Sequence, residues 1–194
     1  MSPLEVRPFD PAEAETVAAW ITDEAAAVAW GGPGVRWPVD GAQWAAMLAD
    51  PRRTLWTPTL DGALAGHFQL ASDPRRRSLR MGRVAIAPEL RGRGLGTALA
   101  RVACDIGFGR DGGLHRVELQ VYEHNARARS AYLRAGFSVE GALREDVPVT
   151  SGDRTEVWTT MLMGILRREW EAVRSGVSAP AARPPGRSAS PPVP

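Results

Sequence analysis

One short stretch, from Val84 to Gly96, constrains the chain more than any other. It reads VAIAPELRGRGLG: an apolar run stops at Pro88, and three glycines then alternate with two arginines and a leucine before a helical pattern begins. The first N–H groups of a helix have no partner within the helix, and preceding glycines let such groups converge on an anion. The stretch therefore predicts a strand, a turn that binds phosphate or pyrophosphate, and a helix. A glycine-rich turn without a ligand is the alternative at this point.

Two familiar phosphate-binding loops do not fit this turn. A P-loop requires a lysine directly before the Thr or Ser that opens its helix, whereas Thr97 follows Gly96. A dinucleotide-binding fingerprint that began at Gly94 would need its third glycine where Leu99 stands. The phosphate would have to be bound by a different glycine pattern.

The hydrophobic pattern around this turn predicts strands and helices that alternate only in the middle of the chain. Strands are expected at Leu4–Phe9, Thr54–Leu60, Ala63–Ala71, Leu79–Ala87, His115–Tyr122, Phe137–Glu140 and Arg154–Met163. Helices are expected at Pro11–Trp20, Thr22–Trp30, Asp40–Ala49, Gly94–Gly109 (ended by Asp111-Gly112-Gly113), Ala126–Arg134 and up to Arg174. We therefore expect an α/β protein with a mixed sheet. Residues 1–174 are expected to form one domain, and the Pro-, Ala- and Ser-rich segment Ser175–Pro194 a disordered tail.

The composition is that of a globular protein, with 44% apolar and 24% charged residues and no apolar run long enough for a membrane span. The net charge of +2 comes from two arginines after Ser175. The rest of the chain is neutral, which argues against a nucleic-acid partner, and Arg75-Arg76-Arg77 is expected in a solvated loop. The single cysteine, Cys104, excludes an internal disulfide. We expect it to be a buried hydrophobic residue in a cytoplasmic protein.

Two motifs about 30 residues apart resemble the signatures of one protein family. The first is Arg-x-x-Gly-x-Gly, filled by Arg91, Gly94 and Gly96. The second is NARARSAYLRAGF at Asn125–Phe137, which reads Asn-x-x-Ala-x-x-x-Tyr followed by a Gly-Phe pair. Together they are similar to the coenzyme A signatures of the GNAT superfamily of acyl-CoA-dependent N-acyltransferases, and the order of the expected elements also matches.

The resemblance implies a GNAT-like mixed sheet of about six to seven strands, flanked by helices. Two neighbouring parallel strands, here Leu79–Ala87 and His115–Tyr122, would splay apart and admit acetyl-CoA as co-substrate, with no metal. Backbone groups of Val84, Ala85 and Ile86 would pair with the pantetheine arm and orient the thioester. The pyrophosphate would be held by main-chain N–H groups of the next segment and by its arginines: Arg91, Gly92, Arg93, Gly94, Leu95, Gly96 and Thr97.

Asn125 and Tyr132 lie seven residues apart, close to two helical turns, so they share a face of the predicted helix. The resemblance implies that Asn125 bonds the pantetheine arm. It also implies that Tyr132 contacts the cofactor and acts as the general acid that protonates the departing thiolate. The residues alone equally allow Asn125 to cap the helix and Tyr132 to be a packed aromatic side chain. A phenol with a pKa near 10 is protonated at neutral pH and can serve as a donor.

The general base is not evident from the sequence. In the N-terminal acetyltransferases that the chain resembles, a carboxylate on the strand before the signature helix is a common base. The matching position here is Gln120, which cannot act as one. Glu118 points from the same face of the predicted strand and is the catalytic candidate in its place, directly or through a water. Glu123, His67 and Glu145 are further candidates, and a solvated or structural role explains each of them more simply.

Segments Glu140–Glu145, Gly152-Asp153 and Arg168–Trp170 resemble the branch that includes ribosomal-protein N-terminal acetyltransferases. The expected reaction is direct transfer of the acetyl group to a primary amine, either a protein N-terminal α-amine or a small-molecule amine. Deprotonation at neutral pH costs about 1–1.4 kcal/mol for an α-amine and about 4.6 kcal/mol for a lysine, so a site without an evident base favours weakly basic amines. Five tryptophans in the first 60 residues would either stack on the acceptor or pack the core: Trp20, Trp30, Trp37, Trp44 and Trp56.

Two alternatives come from other functional classes. One is a catalytically silent sensor of CoA or acyl-CoA, which Gln120 favours. The other is a ribosome- or nucleic-acid-associated protein that uses Arg75–Arg77 and the tail. The expected partners are acetyl-CoA and an amine acceptor, without a membrane, and a homodimer is left open.

Overall fold

A computed structural model describes residues 4–109 and 113–176. Its strands are β1 (Glu5–Pro8), β2 (Arg53–Leu60), β3 (Ala63–Leu64), β4 (Gly66–Asp73), β5 (Ser78–Ile86), β6 (Arg116–Tyr122), β7 (Ser138–Ser151) and β8 (Arg154–Leu166). Its helices are α1 (Ala14–Ala19), α2 (Glu24–Gly31), α3 (Gly41–Ala49), α4 (Leu95–Gly109), α5 (Ala126–Ala135) and α6 (Arg167–Arg174). The helix end predicted at Asp111-Gly112-Gly113 and the tail predicted from Ser175 lie largely outside the described residues.

The strands form one eight-stranded sheet in the order β1-β2-β4-β5-β6-β8-β7, with β3 beside β2. Among these described strands, β5 and β6 run parallel and the other neighbours are antiparallel. The mixed sheet with its flanking helices confirms the predicted fold class. There is one strand more than expected because the predicted strand Ala63–Ala71 is divided into β3 and β4. The break lies opposite Pro58, which has no N–H to donate to a neighbouring strand.

β7 and β8 are longer than the sequence pattern predicts. β7 continues to Ser151, whereas the pattern ends it at Glu140. Its register against β8 shifts between Leu143 and Val147, and Glu145 in that interval has a φ of 51°. A bulge of this kind breaks the alternation of apolar and polar residues by which a sequence marks a strand.

Short polar side chains fix the ends of the helices. The Ala26 N–H donates to Asp23 Oδ1 at 2.7 Å, and the Gln43 N–H donates to Asp40 Oδ1 at 2.9 Å. These bonds satisfy N–H groups that have no partner inside α2 and α3. At the other end of a helix, α5 stops at Gly136, whose φ of 105° is favourable for glycine.

The parallel strands β5 and β6 pair only at their start. Ser78–Met81 pairs with Arg116–Leu119, and the ladder ends there. On the other edge of β5, the register with β4 shifts between His67 and Gln69, and Arg83 in this bulge has a φ of 49°. A bulge bends its strand and increases the local twist, which carries β5 away from β6. The splayed parallel strands expected from the sequence are therefore present.

Two hydrophobic cores lie against the sheet. One joins the sheet to α4, α5 and α6, and it includes Leu99, Cys104, Phe108, Val117 and Met163. The other joins the sheet to α1, α2 and α3, and it includes Phe9, Val17, Trp30, Trp44 and Met47. Cys104 is buried, as expected, and burial raises the pKa of its thiol. In the described part of the chain, no helix combines the length and the apolar character needed to cross a membrane.

His67 on β4 is fully buried in the second of these cores. Its ring lies 4.8 Å from the ring of Phe9 and 5.3 Å from that of Trp44, each measured between centroids. Neither ring nitrogen has a hydrogen-bond partner among the described residues. Burial lowers the pKa of His67 to about 3, and the positive charge of Arg83 acts in the same direction. The imidazole is therefore neutral in the folded protein at physiological pH.

This buried imidazole predicts a fold that loses stability in mild acid. The unfolded chain protonates His67 near pH 6.5, whereas the folded chain does not do so until about pH 3. Stability present above pH 6.5 is therefore lost as the pH falls below that value. From pH 7 to pH 5, the free energy of unfolding should fall by about 2 kcal/mol more in the wild type than in His67→Leu. Urea unfolding at both pH values measures the difference, and an equal fall in the two proteins would contradict it.

Candidate active site

The divergence of β5 from β6 opens a cavity of about 510 Å³. Its walls come from β5, β6, the glycine turn, α4, α5, and α2 with the loop before it. The cavity is lined by most residues that the sequence predicted to bind the cofactor: Val84, Ala85, Ile86, Arg91, Gly92, Gly94, Leu95, Gly96, Thr97, Asn125 and Tyr132. Arg93 is not among the lining residues and is exposed.

One wall of the cavity is the edge of β5 that faces β6. Beyond Met81 no strand of the described residues pairs with this edge, while the other edge still pairs with β4 through Gly66–Ile86 and His67–Ala85. Unpaired backbone N–H and C=O groups on an extended strand can bind another extended chain that carries amide groups. The last carbonyl of β5, that of Ile86, accepts a hydrogen bond from Arg91 Nε at 3.1 Å.

The turn between β5 and α4 depends on two glycines in the left-handed region. Gly92 has a φ of 86° and Gly94 a φ of 85°. The Gly94 carbonyl accepts bonds from the N–H groups of Thr97 at 3.0 Å and Ala98 at 3.3 Å, so Gly94 directly precedes the first turn of α4. A side chain at Gly94 would meet no atom within 4 Å, so its backbone conformation, and not crowding, requires glycine. This is the geometry of an anion site at a helix N-terminus.

Positive side chains surround this turn. Arg91, Arg127 and Arg134 all line the cavity. The Arg127 Nη2 lies 2.8 Å from the position that a Cβ on Gly92 would occupy, so the guanidinium lies directly over the glycine. Guanidinium groups and the positive end of the α4 dipole both favour a doubly charged ligand such as pyrophosphate.

Asn125 and Tyr132 meet at the cavity on α5. The Ala128 N–H donates to Asn125 Oδ1 at 3.1 Å, so Asn125 is the N-cap of α5. Its amide nitrogen is a separate donor and is not used by the cap. Tyr132 is 8% exposed, and burial raises the pKa of its phenol to about 12. The Thr97 hydroxyl donates to the Ala131 carbonyl at 3.2 Å, which ties the start of α4 to the same turn of α5.

The structure does not bring Glu118 into this cavity. Glu118 lies opposite Arg80, in the part of β6 that is still paired with β5, whereas the cavity begins beyond Leu119. Its carboxylate accepts from Arg116 Nε at 3.1 Å, Arg80 Nη2 at 3.3 Å and Arg76 Nη2 at 3.5 Å. This location is that of an ion-pair network and gives no support to a role as general base.

The other candidate bases also lie apart from the cavity. Glu123, Glu145 and His67 are not among its described lining residues, whereas Gln120 is. His67 is enclosed by aromatic rings, and its lowered pKa makes it a weak base. The described lining of the cavity therefore contains neither a carboxylate nor an imidazole.

Several lining residues were not predicted from the sequence. Arg83 from the bulge of β5 is one, and Arg127 and Arg134 from α5 are two more. The only signal for Arg83 is a single charge inside the otherwise apolar run MGRVAIA. Trp20 and Trp30, two of the five early tryptophans, line the cavity beside the start and end of α2.

The sequence pattern of the Acetyltransferase (GNAT) family matches residues 14–137, and the chain belongs to this family. An uncharacterized N-acetyltransferase of Mycobacterium tuberculosis (strain ATCC 25618 / H37Rv) is 30% identical over 103 residues, which cover 53% of this chain and 64% of that protein. The spermidine N(1)-acetyltransferase of Escherichia coli (strain K12) is 35% identical over 86 residues, 44% of this chain and 46% of that protein. The matched segments thus span about half to two thirds of these relatives.

A solved structure shows the same fold over nearly all of its length. The spermidine N-acetyltransferase from Vibrio cholerae, in complex with CoA and spermine, matches with a TM-score of 0.71 at 20% identity. The match covers 87% of this chain and 98% of that one. The comparisons do not support the ribosomal-protein branch expected from the sequence, and spermidine acetyltransferases are among the similar proteins.

The position of Glu118 predicts a structural effect of its removal. Glu118→Gln leaves three guanidinium groups without this partly buried carboxylate, and it should lower the free energy of unfolding by roughly 1–3 kcal/mol. Chemical denaturation measures the loss. An unchanged midpoint and slope would show that the ion-pair network does not stabilise the sheet.

Proposed function

We propose that the protein transfers an acetyl group from acetyl-CoA to the primary amine of a small molecule. One observation carries the proposal: a single cavity combines a left-handed glycine turn among arginines, an unpaired strand edge and a buried phenol. Membership of the GNAT acetyltransferase family supports it.

In this proposal the cofactor is bound along the wall formed by β5. The pyrophosphate is held by the first N–H groups of α4 and by Arg91 and Arg127. The pantetheine arm pairs with the free edge of β5 at Val84–Ile86, and the Asn125 amide nitrogen donates to it. These contacts are mostly made by backbone, so they orient the thioester without requiring a particular side chain on β5.

The reaction joins the amine nitrogen to the thioester carbonyl carbon and breaks the carbon–sulfur bond, which gives an N-acetylated amine and CoA. Tyr132 donates its phenolic proton toward the departing sulfur. Because the pKa of Tyr132 is about 12, a complete transfer to a thiolate with a pKa near 8.5 is uphill by about 5 kcal/mol. A proton from the attacking nitrogen must therefore move to the phenol oxygen, directly or through water, while the phenolic proton moves to the sulfur.

The acceptor enters as the free amine, since the described lining offers no base to deprotonate an ammonium group. This requirement favours amines whose pKa is near neutral, or whose pKa is lowered by the positive charges around the site. Spermidine acetyltransferases are among the similar proteins, so polyamines belong in any test panel together with amino acids, simple amines and peptides with free N-termini.

Release of the CoA thiol from acetyl-CoA, with mass detection of acetylated products from such a panel, tests the proposed function. We expect acetylation of at least one small amine. Binding of acetyl-CoA without product from any amine would instead favour a CoA sensor. Acetylation of peptides alone would favour a protein N-terminus as the acceptor.

Gly94 offers a sharp test of the cofactor site. Gly94→Ala forces a side chain into the left-handed region and should weaken CoA binding at least tenfold, since distortion of the turn removes N–H bonds to a charged group. Gly62→Ala is the matched control, because Gly62 also has a positive φ of 76° and open space around it, but lies in the β2–β3 hairpin. Both variants should lose similar thermal stability, and only Gly94→Ala should lose affinity in calorimetric titration. Equal affinities would contradict the proposed pyrophosphate position.

Tyr132 and Tyr122 form a second matched pair, since the chain has two tyrosines and both are 8% exposed. Tyr122 is not among the residues that line the cavity. Tyr132→Phe should lower kcat by about 10²-fold or more with little change in the Kd of acetyl-CoA. Tyr122→Phe should keep kcat within a few fold. If Tyr132→Phe retains wild-type turnover, the phenol is not the proton donor.

A further inference from the structure

Arg83 is fixed in the bulge where β5 leaves β6, at the end of the cavity that α2 forms. Its guanidinium carbon lies 5.8 Å from the ring centroid of Trp30, and the Trp30 Nε1 donates to the Arg83 carbonyl at 2.8 Å. Its Nη1 donates to Gln69 Oε1 at 2.8 Å. Backbone conformation, stacking and one hydrogen bond thus hold the side chain in place.

The charge of Arg83 has no counter-ion in the described part of the chain. No carboxylate lies within ion-pair distance of its guanidinium there, and its Nε is buried without a hydrogen-bond acceptor. Burial lowers the pKa of Arg83 to about 10, so the group is still a cation at neutral pH. A partly desolvated cation without a partner is costly, and a bound anion would offset that cost.

The other charges of the cavity are also positive. Arg91, Arg127 and Arg134 line it together with Arg83, and no Asp or Glu does so within the described ranges. Those three arginines lie at the glycine turn and on α5, where the pyrophosphate is proposed to bind. Arg83 lies three residues before Ile86 on β5, so it is about 10 Å farther from the glycine turn along the strand. The proposed cofactor position would therefore leave Arg83 without an anion.

The wall of the cavity that comes from α2 and the residues before it is mostly apolar. It is lined by Trp20, Ile21, Ala26, Ala29 and Trp30, with the hydroxyl of Thr22, and Trp30 contacts Arg83 directly. A polyamine would bring several positive charges to a wall that has one cation and no described acid. An amine with an apolar body and one negative group would satisfy both the wall and the guanidinium.

We infer that Arg83 binds a carboxylate carried by the amine acceptor, and that the acceptor is an amino carboxylate and not a polyamine. The inference rests on the proposed function and names the acceptor class of the same site. A guanidinium binds a carboxylate through charge-assisted hydrogen bonds, and Arg83 Nη2 makes no hydrogen bond among the described residues. The same cation repels a second ammonium group, so it both attracts the amino carboxylate and rejects the polyamine.

Binding to the enzyme–CoA complex tests the inference without requiring turnover. Calorimetric titration would compare ω-amino carboxylates and α-amino acids of two to six carbons with the alkylamine and the diamine of equal carbon number. The preferred amino carboxylate should bind about 10- to 100-fold more tightly than its alkylamine, and the diamine should bind most weakly. Arg83→Gln should abolish this preference. The inference is overturned if no amino carboxylate exceeds its alkylamine, or if Arg83→Gln keeps the preference.

Arg80→Gln is the matched control, since it removes a cation from the same strand that pairs with Glu118 outside the cavity. It should keep the preference, and Arg83→Lys should keep part of it. Thermal unfolding separates a binding role from a structural one. Removing a cation without a counter-ion should leave Tm unchanged or raise it, whereas a structural Arg83 would lower Tm without altering the binding ratio.

Turnover assays with the same compounds keep the two proposals distinguishable. Equal acetylation of alkylamines and amino carboxylates would sustain the proposed function and overturn the inference about Arg83. A strong binding preference for amino carboxylates without acetyl transfer to any amine would sustain the anion site and overturn the proposed function. If Arg83→Gln does not fold, the inference is still tested by the ratio of affinities for the amino carboxylate and the alkylamine, measured in the wild type and in Arg83→Lys.

Discussion

The end of the parallel pairing between β5 and β6 is the constraint on which the rest of the site depends. Hydrogen bonds join the strands as far as Met81 and Leu119, and beyond that point each strand presents an open edge. Bare backbone edges are costly inside a protein unless something binds them. The bulge at Arg83 bends β5 away, and α2 and α5 cover the gap without filling it. The cavity is thus a gap between two strands of the sheet, and the surrounding helices enclose this gap.

Local patterns carried most of what the sequence could predict. The glycines before α4, the Asn125 cap and the two-turn spacing to Tyr132 all depend on residues near one another in the chain, and each stands at the cavity. Glu118 shows where such reasoning stops. Alternation along β6 gives the face on which a side chain lies, but it does not tell how far along the strand the cavity begins. That point is set by pairing with β5, which is distant in sequence.

Arg83 and the long strand β7 were missed for a related reason. Both lie at bulges, where one extra residue shifts the register and sends the following side chains to the other face. In the sequence, the charge of Arg83 therefore looks like an interruption of an apolar strand, although in the structure Arg83 lines the cavity. The division of the predicted strand Ala63–Ala71 into β3 and β4 also depends on another strand, because it follows from Pro58 on β2.

Desolvation shifts the pKa values of two buried groups, His67 and Tyr132, in the direction that favours their neutral forms. Burial in the aromatic core makes the imidazole a poor base, and burial in the cavity wall raises the pKa of a phenol that is already protonated at physiological pH. The site therefore has a reliable hydrogen-bond donor and, within its described lining, no proton acceptor of comparable strength.

A lining with a proton donor but no base determines how the rate of the proposed reaction would depend on pH. The described lining contains neither a carboxylate nor an imidazole, and the pKa values of its Tyr132, about 12, and Arg83, about 10, lie well above neutral pH. In the proposed reaction, the rise of kcat/KM with pH would then report the ionisation of the acceptor and not that of the protein. The pH profile would therefore differ from one acceptor to the next according to the pKa of its amine, while the charges of the site stay constant.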